Sequence, residues 1–379
     1  MASVSSNRIP GIWSGIGWAL ADKSAHLPSR LRLAGRALRG ALWHGKALRR
    51  WMAMVFELRA RGIVTNLPSE YLRALRPYVH SGTGISNRVV QLIDHADWLE
   101  TALKPAAFTQ ITSDAPVMLA DLLPPRGYQF LRLQLLRAPA QSTEGDLLLA
   151  LVLQRSPEVQ QRAAPVEVVT IAFSRFRIEG QGCFVIGGVR GQRHPVLRLS
   201  QVELNQVFSG WKPSVLMLRV AQELARFWGL RLIGLDPAHH PVHRWPSRWS
   251  RRSREVARKI DKSYGAIWKH FDASRGEHGW MVLPLNSDDQ LAATALSPEK
   301  RVRHTRRADY WIRSRNQLRS EFGAQLQRLG PDVRLDGVTQ AHGPRTVQQE
   351  GETGFADHDD SDDRMVLSRV LDAGPSSLL

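Results

Sequence analysis

Four stretches in the middle of the chain are apolar over strand length: "YQFLRLQLLRA" (128–138), "GDLLLALVLQR" (145–155), "VEVVTIAFSRFRI" (166–178) and "GCFVIGGVRG" (182–191). Turn residues separate them, so the pattern predicts sequential strands of an antiparallel sheet. The last one breaks at Gly187-Gly188 and leaves through Arg190, Gly191 and a basic loop ending at Pro195. The period then lengthens. Met217, Ala221, Leu224 and Trp228 mark one face of a helix that Pro213 opens and Gly229 closes. "LRLIGLD" (230–236) predicts a strand. Ser250 to Phe271 predicts a helix with Val256, Ile260, Tyr264, Ile267, Trp268 and Phe271 on one side. Trp280 to Leu285 predicts a last strand, and 298–328 a strongly basic helix.

Upstream, Leu31, Ala34, Leu38, Leu42, Leu48 and Met52 keep helical spacing over 29–61, with arginines and Lys46 between them. Those leucines are expected to pack on the body and leave a solvated basic face. The alternative is a helix lying on an anionic membrane, anchored by Trp43 and Trp51. Residues 67–104 also read as helical, with Ser86 as the cap of "SNRVVQLIDHADWLETAL". The fold class is therefore α+β: N-terminal helices, then a mainly antiparallel sheet running into β-α-β-α-β. Three segments are expected: a basic helical segment at 1–62, an α+β domain at 63–330, and an acidic, disordered tail at 331–379.

Charge changes the picture more than composition does. The net charge is +17, but residues 1–330 alone hold 48 Lys/Arg against 25 Asp/Glu. A body that basic attracts polyanions, whether anionic lipid, a phosphorylated ligand or, less favoured for want of a recognisable motif, nucleic acid. Arg248, Arg251, Arg252, Arg306 and Arg307, interleaved with Trp245, Trp249 and Trp311, are the candidate anionic-surface contacts. The single cysteine, Cys183, excludes a disulfide within the chain and suits a reducing compartment. The expected location is cytoplasmic, with peripheral attachment to the inner membrane as the extension of the basic surface. A proline and three glycines interrupt the apolar run from Ile9, which argues against a secretory leader.

In order and spacing, "NRVVQLIDHADWL" (87–99), "TEGDLLLALVL" (143–153), "FVIGGVRG" (184–191), "GWKPSVLMLRVAQELA" (210–225), "KSYGAIWKHF" (262–271), "WMVLPL" (280–285) and "PEKRVRHTRRADYW" (298–311) resemble the VirK/YbjX family over about Leu58 to Leu329. The resemblance implies a role in the envelope and virulence of Gram-negative bacteria, including resistance to antimicrobial peptides, and names no reaction.

Strand, glycine-broken loop, helix, strand, helix with tyrosine, strand is also similar to the acyl-CoA-binding half of GNAT-type acyltransferases. On that likeness Gly187, Gly188, Arg190, Gly191 and Arg193 would hold acyl-CoA, and Tyr264 would protonate the leaving thiolate. The plainer alternatives are a β-bulge at the glycines and a core tyrosine. Asp236 and His239 (or His240) at the next strand end are acid–base candidates. Pro237 and Pro241 give His239, His240 and His243 a poor spacing for a metal. Glu144 in "STEGD" reads as a turn carboxylate that would serve as a base if it faced a cleft.

Overall fold

The computed structural model describes residues 11, 13–22, 27–124, 127–156, 165–192, 199–243, 251–285 and 298–329. Six helices come first: α1 (Ser14–Ala21), α2 (Leu27–Trp43), α3 (Gly45–Ala60), α4 (Leu67–Arg73), α5 (Ile85–Ala102) and α6 (Pro105–Thr112). A meander follows, of β1 (Val117–Leu122), β2 (Tyr128–Arg137), β3 (Leu147–Arg155), β4 (Val166–Ile178) and β5 (Gln181–Gly191). Helices α7 (Gln201–Val207) and α8 (Pro213–Phe227) carry the chain to β6 (Arg231–Leu235). Helix α9 (Arg251–His270), β7 (Ser274–Arg275), β8 (Trp280–Leu283) and α10 (Pro298–Gln325) complete the described elements. The fold is α+β, with one eight-stranded sheet in the order β1-β2-β3-β4-β5-β6-β8-β7. The acidic stretch from 331, expected to be disordered, lies outside the described residues.

All pairs are antiparallel except β5–β6, which the α7–α8 crossover makes parallel. Strand alternation sends successive β5 residues to opposite faces. Phe184 and Ile186 join Phe173, Leu232, Met217, Leu224, Tyr264, Trp268 and Phe322 in one core cluster. Cys183 and Val185 join Phe176, Ile233, Leu235 and residues of α3–α5 such as Leu48, Met52, Tyr71 and Val89 in another. Phe173 and Phe184 stack at 4.1 Å with Trp228 beside them, and each buried side chain of that size contributes about 2 kcal/mol.

Several sequence expectations shift. The helix expected over 29–61 breaks at His44, whose Nδ1 lies 2.9 Å from Ser86 Oγ. Ser86, engaged there, is not the cap of α5; Gly84 is. Strand β1 and helices α6 and α7 arise where no period was legible. On α2 the expected orientation is reversed for the leucines. Leu33, Ala34, Ala37 and Ala41 are buried, whereas Leu31, Leu38 and Leu42 are exposed. The cause is the second, small-residue stripe on that helix. A Cβ at Gly40 would come within 2.9 Å of Leu48 and 3.2 Å of Leu75, so only a face this small fits against α3 and the segment after α4.

Candidate functional site

The site is set by where β5 stops pairing with β6. Their register runs from Cys183–Arg231 to Ile186–Gly234 and ends there, while β5 continues through Gly191 against β4 alone. A bulge in β5, opposite Ala172 and Phe173 of β4, leaves Gly187 as the extra residue. From that point the β5 backbone is open to the helix that follows β6.

Helix α9 supplies the first partner. Tyr264 is buried, and its hydroxyl accepts the N–H of Val189 at 3.0 Å. Burial, reinforced by the Glu144 carboxylate, raises the phenol's pKa well above its usual value, so it keeps its own proton. The loop between β2 and β3 supplies the second. Gly145 has φ +158°, and a Cβ there would stand 2.6 Å from the Phe173 backbone, so the turn needs glycine. Asp146 pins the same loop. Its N–H donates to Phe173 O at 3.1 Å, and its carboxylate accepts from Arg73 at 2.8 Å, from Ser174 at 2.8 Å and from Tyr78.

That anchoring lays Glu144 over the glycine pair. A side chain at Gly187 would overlap the Glu144 carbonyl oxygen, and one at Gly188 would overlap its carboxylate. The carboxylate lies 2.7 Å from Arg190 Nη2, an ion pair without hydrogen-bond alignment. The glycines thus admit a loop of the chain itself. A phosphate placed on them would meet a carboxylate, so the cradle expected at Gly187 and Gly188 has a different, internal occupant.

The turns after β6 supply the third partner, His240. It is buried, with its ring edge-on to Tyr264 at 5.9 Å between centroids. Val242 N–H donates to its Nδ1 at 3.1 Å, which fixes the neutral tautomer with the proton on Nε2. Burial lowers its pKa and keeps it neutral. Nε2 has no hydrogen-bond partner among the described residues. Its neighbour His243 lies 2.9 Å from Asp261 of α9.

Of the candidates read from the sequence, Gly187, Gly188, Arg190 and Tyr264 come together here. Gly191 is exposed at the strand end, and Arg193 lies outside the described residues. Asp236 caps the short turn Pro237–His239 by accepting Ala238 N–H at 3.0 Å, and faces Arg275 at 3.6 Å. His239 stacks on His80 at 4.8 Å between centroids, and Trp280 lies tilted against the His80 ring at 4.9 Å. Arg248 and the side chains of Arg251 and Arg252 lie outside the described residues. Arg306 is exposed on α10, while Arg307 donates to Gly210 O at 2.6 Å and sits by Trp211. Among the described residues no His, Cys, Asp and Glu side chains converge as metal ligands. Reasoning from sequence undervalued Glu144 and His240. The one signal for Glu144 was a carboxylate beside a glycine in a tight turn facing a glycine-broken strand.

Fold and site define an α+β protein with a tyrosine, a histidine and a carboxylate gathered at an unpaired strand end. The profile of the protein family of unknown function DUF535 matches residues 24–318, and the chain belongs to that family, which is the VirK/YbjX family. No curated protein and no solved structure matches it significantly.

Proposed function

We propose that this chain binds an acyl thioester, of the acyl-CoA type, at the open end of β5 and transfers its acyl group to an amine of an envelope component. The observation that carries the reading is the Tyr264 hydroxyl seated on the Val189 N–H where β5 and β6 part company. Because that hydroxyl oxygen accepts the backbone N–H, its own proton is turned away from β5 and is available to a group that gains negative charge at the opening during acyl transfer. The buried Nε2–H of His240, without an acceptor among the described residues, is a second donor beside it.

A bound acyl thioester supplies the activated acyl group. The chain's residues then divide the proton work. Glu144, held over Gly188, takes a proton from the attacking amine. Tyr264, kept protonated by burial, gives one to the departing thiolate. Arg190 holds the Glu144 carboxylate in place.

A calorimetric titration of the full chain with acetyl-CoA and palmitoyl-CoA tests this. One-to-one binding at micromolar affinity is expected for at least one of them, and no heat with either overturns the reading. Tyr264→Phe is expected to keep that affinity and to slow acyl transfer to a small primary amine by roughly 100-fold.

A further inference from the structure

Helix α2 is built inside out. Its inward face consists of Leu33, Ala34, Ala37, Gly40 and Ala41, while its other leucines and Trp43 point to solvent. Leu27 is 64% exposed, Leu31 56%, Leu38 45%, Leu42 58% and Trp43 69%. At 3.6 residues per turn the four leucines fall within about 60° of arc and form one straight stripe. On the same wheel Arg32, Arg36 and Arg39 form a second stripe, along one flank of the leucines. The helix has no acidic residue, and Lys46, Arg49 and Arg50 of α3 extend the exposed cationic surface. Helix α1, packed against α2, leaves Trp13 and Leu20 exposed as well.

We infer that the exposed face of α2 docks on the surface of an anionic phospholipid bilayer. Leucines exposed on an ordinary helix are scattered, whereas a continuous stripe flanked by cations is what an interfacial helix presents. The leucines enter the acyl-chain boundary, the arginines meet headgroup phosphates, and Trp43 sits at headgroup depth. Charge selects this occupant over a second copy of the chain. Self-association through the stripe would set Arg32 and Arg39 of one molecule against the cations of another. The helix lies on the membrane and does not cross it, because no helix among the described residues is long and apolar enough to do so. The inference is independent of the acyl-thioester reading.

Vesicle flotation of the full chain tests it, with phosphatidylcholine alone and with about one third phosphatidylglycerol. The chain is expected to float with the anionic vesicles and to stay behind with the neutral ones. Leu38→Asp with Leu42→Asp, both at exposed positions of α2, is expected to weaken flotation at least tenfold. Arg39→Glu is expected to weaken it roughly tenfold or more. Unchanged circular dichroism of the variants excludes misfolding as the cause. The inference is overturned if the chain binds neither vesicle, binds both alike or floats undiminished with the leucines replaced. It is also overturned if those replacements split a dimer seen by light scattering.

Discussion

His95 of α5 shows how much of this fold is held by buried polar contacts. Its Nδ1 accepts the Arg175 N–H at 3.1 Å, and its Nε2 lies 4.0 Å from Asp146. Burial, with Arg73, Arg175 and Arg137 around it, lowers its pKa from 6.5 to about 3. The folded protein therefore keeps His95 neutral where the unfolded chain would protonate it. Its contribution to stability is full above pH 6.5 and declines as the pH falls toward 3. By about pH 4.5 the loss is on the order of 3 kcal/mol. His95→Asn retains an acceptor for the Arg175 N–H and cannot titrate. Urea unfolding between neutral pH and about pH 4.5 is expected to show a shallower fall in stability for the variant. Parallel curves would mean that His95 is not the group concerned. The network matters beyond stability, because Asp146 at its centre fixes the loop that places Glu144.

At the scale of elements, the glycines of β5 divide by what lies above them. Gly187 faces the Glu144 main chain, which cannot step aside, whereas a Cβ at Gly191 meets nothing within 4 Å. Gly187→Ala is expected to cost about 3 kcal/mol and Gly191→Ala under about 0.5 kcal/mol. Equal midpoints in denaturant would show that the loop does not rest on the strand. The glycine break itself was legible in the sequence as a bulge or a ligand loop. Its actual role was not, since the partner comes from a turn some forty residues away. The meander and α8 were legible too, because each writes its own period and its own ends. Strand β1 was hidden, as six residues ending in a Leu-Leu-Pro-Pro run carry too little alternation. Helix α2 misled for a different reason. Periodicity locates a stripe without saying which side faces the protein, and α2 carries two, one of leucine and one of alanine and glycine.

Across the whole molecule, the described sheet divides the apolar residues between two cores, and the open end of β5 lies at its one parallel pair. Three separate stretches of chain converge there: the β2–β3 turn with Glu144, the turns after β6 with His240, and α9 with Tyr264. No stretch of sequence shorter than the distance from Glu144 to Tyr264 contains the site, which is why its members read singly as a turn carboxylate, a loop histidine and a core tyrosine. The basic excess is spread along the chain, and among the described residues it borders a stripe of exposed leucines only on α2. The most direct test of the account is hydrogen–deuterium exchange of the full chain with and without palmitoyl-CoA. Slowed exchange confined to residues 187–191 of β5 and the first turns after β6 is the expected result. Unchanged exchange there, or protection only elsewhere on the chain, would contradict it.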